Sequence, residues 1–294
     1  MIAVAVTLGE GHTPLLPAPR LSARHGVEVW LKWEGANPTG SFKDRGMAVA
    51  VSRAIARGAR GVVCASTGNT AASAAAYAAR AGLEAAIVVS AGAVAGPKLA
   101  QANAVGARLV EVPGTFSEAY DASLALAEEE GLVVVNSVND DRIEGQKTAA
   151  FEILAELGSL PDALLLPYGG GGNTKAYARG FVEAAGRLPR LHPAQAEQRS
   201  ETFASAIRIV EPVHGAEVED AVARSGGEVV TLSEDELARA WRRLGYEEGL
   251  FCEPASAAGV AALERGVVRP GERVVCVITG HGLKDPDALG RLAT

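Results

Sequence analysis

The sequence predicts an α/β fold in which a parallel sheet is covered by helices on both faces. Three observations carry this expectation. Short β-rich runs alternate with helical stretches through most of the chain. The runs are apolar throughout rather than alternating, as strands buried on both sides require. Alanine, glycine and valine dominate while aromatics are only 5%, a profile that suits close packing of helix on sheet.

The elements follow in order. Gly61–Ser66 (GVVCAS) reads as a strand and is followed by an Ala-rich helix from Thr70 to Ala81. Ala85–Ser90 (AAIVVS) is a second strand, and Pro97–Val105 a helix whose proline suits a first turn. Arg108–Val112 is a strand and Ser117–Glu130 a helix. Leu132–Ser137 (LVVVNS) is a strand, Ile143–Leu157 a helix, and Ala163–Pro167 (ALLLP) a strand, with a further helix running to Ala185. Arg273–Thr279 (RVVCVIT) is the clearest buried strand. Arg190–Thr202 (RLHPAQAEQRSET) is the most polar stretch and reads as a surface loop.

With 294 residues, 48% of them apolar, the chain can bury a full core in one or two domains. A formal charge of −7 argues against general affinity for nucleic acid or an anionic membrane. No apolar run approaches the roughly 18 residues of a membrane span, and no signal sequence is evident, so a cytoplasmic protein is expected. Cys64, Cys252 and Cys276 have no CxxC or zinc spacing and read as reduced, buried thiols. The histidines (His12, His25, His192, His214, His281) show no metal-binding spacing, so no metal is expected.

Chemistry in a parallel α/β sheet gathers at the carboxyl ends of strands, and four motifs bear on that rule. In NPTGSFKDRG (37–46) the Asn-Pro and Thr-Gly pairs make a turn, and Ser41 with Asp44 resembles a capping box opening a helix. Lys43 then lies in the first helical turn, where the helix dipole and burial disfavour an ammonium and favour the free amine that Schiff-base chemistry needs. Taken alone, it reads as a solvated lysine beside a turn, and the motifs that follow reverse that reading. In STGNT (66–70), directly after a strand, small hydroxyls and free backbone N–H groups suit a carboxylate, and Asn69 could donate to a ring oxygen. Ordinary helix capping is the alternative. The run Gly169-Gly170-Gly171-Gly172-Asn173-Thr174 follows ALLLPY and precedes a helix. Backbone so bare can wrap a phosphate at a helix N-terminus, and neither a Walker nor a GxGxxG pattern is present. In TGHGLKD (279–285), Thr279 ends a strand and offers a neutral hydroxyl to a pyridine nitrogen. Together these supply a Schiff-base lysine, a ring-oxygen donor, a phosphate cup and a ring-nitrogen partner, the set of groups that pyridoxal phosphate needs.

At this point the sequence resembles a known family. NPTGSFKDRG, STGNTA, NSVNDDRIEGQKT (136–148), the glycine loop, EPASAA (253–258) and TGHGLKDP (279–286) are similar to the threonine synthases, pyridoxal-phosphate enzymes of the tryptophan-synthase-β-like fold (fold type II). The resemblance runs from Leu8 to Pro286. It implies two open parallel-sheet α/β domains, a large cofactor-binding one of residues 1–46 and 131–294 and a small one of residues 47–130. It implies that Lys43, with Phe42 beside it, carries the cofactor and shuttles protons. Asn69 would contact the ring oxygen, Gly169, Gly170, Gly171, Gly172 and Asn173 the cofactor phosphate, and Thr279 the ring nitrogen. Ser66 and Thr67 would take the substrate carboxylate, and Thr70, Ser137 and Arg142, with Asn136 nearby, the substrate's own phosphate. A guanidinium fork suits a phosphate dianion, although the neighbouring Asp140, Asp141 and Glu144 also allow a surface arginine. The implied reaction converts O-phospho-L-homoserine and water into L-threonine and phosphate, in a homodimer.

The chain departs from the family pattern in the loop, which there usually reads Gly-Asn-Ala-Gly-Asn, so Gly170 stands where an amide could touch the substrate phosphate. Four glycines instead resemble the serine/threonine dehydratases of the same fold group, which form the rival reading. A catalytically silent amino-acid-binding homologue is the non-enzymatic one.

Overall fold

The apolar runs assemble into two separate sheets. The computed structural model describes residues 5–92 and 96–291. In chain order the elements are Leu15–Pro17 (β1), Pro19–His25 (α1), Glu28–Trp33 (β2), Lys43–Ala56 (α2), Gly61–Ala65 (β3), Asn69–Ala81 (α3), Glu84–Ser90 (β4), Pro97–Ala104 (α4), Arg108–Val112 (β5), Phe116–Glu130 (α5), Leu132–Val134 (β6), Asp140–Gln146 (α6), Thr148–Leu157 (α7), Ala163–Pro167 (β7), Gly172–Ala185 (α8), Arg190–Ala196 (β8), Gly215–Ser225 (α9), Val230–Leu232 (β9), Glu234–Glu248 (α10), Ala258–Glu264 (α11), Arg273–Ile278 (β10) and Ala288–Arg291 (α12). Among the described residues no helix is long and apolar enough to cross a membrane.

The chain divides into two compact units, one of the described residues up to Glu10 with Asn37–Gln146, the other of Gly11–Ala36 with the described residues from Lys147 onward. The first holds a four-stranded sheet in the order β5-β4-β3-β6, parallel throughout. Because successive side chains on a strand point to opposite faces, β3 sends Val62 and Cys64 into a core with Met47 and Val51 of α2 and Ala71, Ala75 and Ala78 of α3. Its Val63 and Ala65 pack the other face with Ala119 of α5. That double coverage is why GVVCA has no polar position.

This unit is wider than the expected 47–130. Helix α2 packs against α3 and α6, and β6 pairs with β3, so residues 37–46 and 131–146 belong to the same body. The strand expected over Leu132–Ser137 ends at Val134. Asn136 supplies the reason: its Nδ2 donates to the Ala65 carbonyl at 2.9 Å and its Oδ1 accepts the Ala65 N–H at 3.1 Å. A side-chain amide thus takes the place of the next ladder residue.

The second unit holds six strands in the order β1-β2-β10-β7-β8-β9, parallel except for β1, which pairs antiparallel with β2 at one edge. Leu165, Cys276 and Ile278 face a core with Leu21 of α1, Trp241 and Leu244 of α10 and Val260 of α11. Leu164, Leu166, Val275 and Val277 face Ile153 of α7, Tyr177 and Phe181 of α8 and Val218 of α9.

Two further expectations fail. The helix expected over Ile143–Leu157 is two helices broken at Lys147, because α6 packs on α2 while α7 serves the core of the other unit. The polar stretch from Arg190 is not a loop at its start: Arg190–Ala196 is strand β8, paired with β7 and β9. Its polar residue His192 is buried, and burial first, then neighbouring Arg190, pull its pKa down to about 4. The imidazole is therefore neutral at neutral pH and packs as an uncharged ring.

Candidate active site

In the first unit the candidate residues cluster at the carboxyl ends of β3 and β6 and the N-terminus of α2. Ahead of α2 the Gly40 N–H donates to the Asn37 carbonyl at 2.8 Å, and Gly40 closes the turn at φ +87°, which a glycine adopts without strain. The capping box expected of Ser41 and Asp44 does not form. The cap position is Phe42, with helical angles and no side-chain bond. Asp44 is engaged otherwise: its Oδ2 accepts the Thr39 N–H, and its Oδ1 accepts the Thr39 and Ser73 hydroxyls, each at 2.6 Å. This buried carboxylate ties the turn to α3 and so fixes where α2 starts. Lys43 is the first residue of α2, half-buried, with Nζ 4.4 Å from the Phe42 ring centroid.

Beyond β3, the Ser66 Oγ accepts the Gly68 N–H at 3.1 Å. Gly68 caps α3, Asn69 is its buried first residue, Thr70 is half-buried and Thr67 is exposed. The first N–H groups of a helix have no partner within it, so this turn presents donors in the direction the motif predicts. Ser137 is half-buried in the turn after β6, beside Asn136.

Arg142, on α6, is fully buried rather than a surface residue. Its Nη1 donates to the Val135 carbonyl at 3.2 Å, whereas Nε and Nη2 are buried with no hydrogen-bond partner among the described residues. Burial draws its pKa down to about 10, offset in part by Cys64 and Asp44, so it remains a cation at neutral pH. The adjacent Asp141 does not compensate it, being held by Arg53 and, at 3.3 Å, by Arg57. The Cys64 thiol beneath is pushed up to about 12 by burial and is inert.

In the second unit, β7 and β10 are parallel neighbours, so the glycine loop and Thr279 share one edge of the sheet. Gly171 caps α8 at φ +88°, and an added Cβ there would lie 2.8 Å from Val218 and 3.1 Å from His214. The His214 N–H holds the Gly170 carbonyl at 3.0 Å, and a Cβ on Gly169 would crowd Ile207 at 3.3 Å. Gly172, Asn173 and Thr174 form the first turn of α8, with their N–H groups ahead of the first intrahelical bond, Lys175 N–H to the Gly171 carbonyl at 3.0 Å. Asn173 Nδ2 and Thr174 Oγ1 are buried with no partner among the described residues. Thr279, one residue past β10, is buried, and its Oγ1 lies 3.1 Å from the Ser256 Oγ.

Ser256 is the residue that sequence reasoning passed over. It lies in EPASAA, which marks the resemblance, but a serine between alanines gives no sign of its contact with a strand end. Among the described residues no group of His, Cys, Asp or Glu is arranged to hold a metal.

The sequence profile described as "Pyridoxal-phosphate dependent enzyme" matches residues 6–280. The chain belongs to the pyridoxal-phosphate dependent enzyme family, and its cofactor is pyridoxal phosphate. It is 46% identical over 96% of its length to the threonine synthase of Halalkalibacterium halodurans, of which it covers 85%. It is 48% identical to that of Synechocystis and 43% identical to that of Methanocaldococcus jannaschii, covering 79% and 77% of those proteins and again 96% of this chain. Among solved structures, maize serine racemase superposes with a TM-score of 0.85 at 20% identity, covering 96% of this chain and 92% of that one. A threonine deaminase from T.th. gives 0.80 at 28% identity and 92% of each chain. The fold is thus that of the type II pyridoxal-phosphate enzymes.

The residues present fit the cofactor. A bare loop in which a Cβ at Gly171 would strike a neighbour, three helix-start N–H groups and an unsatisfied Asn173 amide are features that suit a phosphate. The Thr279 hydroxyl on the same sheet edge suits a pyridine nitrogen.

Proposed function

We propose that the chain is a threonine synthase, converting O-phospho-L-homoserine and water into L-threonine and phosphate. The observation that carries this reading is Arg142, a fully buried cation with Nε and Nη2 unsatisfied. Buried guanidinium donors without acceptors are unfavourable, and a substrate phosphate would supply acceptors for both, with Ser137 and Thr70 as neutral donors. Threonine or serine, lacking a phosphate, would bring no such anion to Nε and Nη2. The threonine synthase relatives at 43–48% identity point the same way.

In this reading Gly169, Gly170, Gly171, Gly172 and Asn173 hold the cofactor phosphate, Thr279 faces the ring nitrogen, and Asn69 the ring oxygen. When bound, the cofactor supplies an electron sink for the carbanion at the substrate α-carbon. Ser66, Thr67 and the N-terminal turn of α3 orient the substrate carboxylate. Lys43, whose place is fixed by the Asp44 network, takes the α-proton and returns protons along the chain. Arg142 holds the phosphate as it leaves Cγ, and water adds at Cβ. We place the enzyme in the cytoplasm as a homodimer.

The test is phosphate release from O-phospho-L-homoserine by purified, cofactor-loaded protein, with the amino-acid product identified and threonine and serine run as competing substrates. Stoichiometric phosphate and threonine are expected, and both should vanish in Lys43→Ala, together with the visible absorption of lysine-bound cofactor. Oxoacid from threonine or serine with no phosphate release would make the chain a dehydratase. Cofactor binding without any turnover would make it a silent homologue.

A further inference from the structure

The Ser256–Thr279 pair has a direction that decides what Thr279 can do. Ser256 Oγ accepts the Gly280 N–H at 2.9 Å, so one lone pair is committed. Its own proton has two acceptors in reach, Thr279 Oγ1 at 3.1 Å and the Gly280 carbonyl at 3.3 Å. That carbonyl already receives the Glu253 N–H at 3.0 Å. Thr279 Oγ1 is the nearer of the two, and both serine and threonine are buried away from bulk water, so with Ser256 donating to it the Thr279 proton is left for a bound cofactor. We infer that Ser256 is a positioning residue: it donates to Thr279, so that the Thr279 proton points away from Ser256 and is offered to the cofactor's ring nitrogen, keeping that nitrogen unprotonated.

This rests on the placement of Thr279 at the ring nitrogen proposed above. If the pair ran the other way, with Thr279 donating to Ser256, the threonine oxygen would be an acceptor and would favour a protonated nitrogen. A hydroxyl can serve either form, and the serine selects between them. A hydrogen bond given to the neutral form lowers the proton affinity of the base that receives it.

The test uses the enzyme loaded with cofactor labelled with nitrogen-15 in the ring. The ring-nitrogen resonance is followed against pH in the wild type, Ser256→Ala, Thr279→Ala and the double variant, each with its cofactor content measured. The inference expects an unprotonated nitrogen in the wild type at neutral pH. It expects the apparent ring-nitrogen pKa to rise by about one unit in Ser256→Ala, roughly the tenfold that one hydrogen bond is worth. In the Thr279→Ala background the serine substitution should add nothing, since its effect passes through the threonine. A wild-type profile in Ser256→Ala, with Thr279→Ala shifted, would overturn the role of Ser256. Unshifted profiles in both single variants, with cofactor retained, would instead remove Thr279 from the ring nitrogen. Should Ser256→Ala fold poorly, Ser256→Cys keeps the volume but donates weakly, and must shift the profile in the same direction.

Discussion

Gly46 of α2 lies against the backbone of Arg142 in α6: a Cβ on Gly46 would sit 2.6 Å from the Arg142 carbonyl oxygen and 2.9 Å from its Cα. Gly145 makes the reciprocal approach, where a Cβ would overlap the Arg45 carbonyl. The two helices that carry Lys43 and Arg142 are therefore in backbone contact, and their separation is set by two absent side chains. In a helix interior alanine is favoured over glycine by about 1 kcal/mol. Overpacking against backbone that cannot yield costs about 1–3 kcal/mol, so crowding wins. Gly46→Ala should lower the melting temperature and raise KM for O-phospho-L-homoserine. Unchanged values of both would show that α2 and α6 can part without consequence.

The glycine loop discriminates between adjacent positions. Gly171 has φ +88° and no space, whereas a Cβ on Gly170 would meet only the Ile209 Cδ1, at 3.6 Å. Gly171→Asp should lose cofactor on dialysis, since backbone strain, collision with Val218 and His214 and a negative charge all arise in the loop proposed to hold the cofactor phosphate. Gly170→Asn should keep its cofactor and leave phosphohomoserine turnover equal or improved, because an amide is added where there is room. Equal cofactor retention by Gly171→Asp and the wild type would move the cup elsewhere.

His192 gives a pH dependence with a definite sign. Its folded-state pKa is lowered to about 4 from an unfolded value of about 6.5. Between those values the unfolded chain binds the proton and the folded chain does not, so stability falls as pH drops through that window. The loss is at most about 3 kcal/mol, at about 1.4 kcal/mol per pKa unit. His192→Leu should flatten the melting temperature between pH 6.5 and pH 4 relative to the wild type. An identical acid slope in the two proteins would assign it to carboxylates instead.

How much of this was legible in the sequence depended on whether residue type and environment agreed. GVVCA, ALLLP and RVVCVI are apolar because both faces of their strands are covered, and their bounds were read to within a residue. Strand β8 escaped notice because His192 and Pro193 are polar or turn-forming types placed in a core by their neighbours, Ala194 and Leu191 among them. The break at Lys147 left no mark because no proline stands there to end the helix. The motif residues were legible as chemistry, but not their surroundings. DDRIE leaves Arg142 open between a phosphate ligand and a surface arginine, and only the structure shows Asp141 drawn off by Arg53 while Arg142 is fully buried.

That sealed arginine yields the last prediction. At neutral pH the folded chain bears a penalty for burying the Arg142 guanidinium, only partly offset by Asp44 and the Val135 carbonyl, since its pKa, though lowered to about 10, leaves it charged. An anion that binds there should relieve the penalty, so inorganic phosphate should raise the melting temperature of the wild type in proportion to its occupancy. Arg142→Met, which fills similar space without charge, should lose that response and be as stable as the wild type, or more so, when phosphate is absent. Its kcat/KM for O-phospho-L-homoserine should fall about ten- to a hundredfold, the worth of a charge-assisted hydrogen bond of about 1.5–3 kcal/mol. The visible spectrum of the bound cofactor should not change, because in this assignment Arg142 does not touch it. A variant that still gains stability from phosphate, or that turns over phosphohomoserine at the wild-type rate, would show that the substrate phosphate is held by other groups. The buried cation would then be a structural burden with no catalytic return.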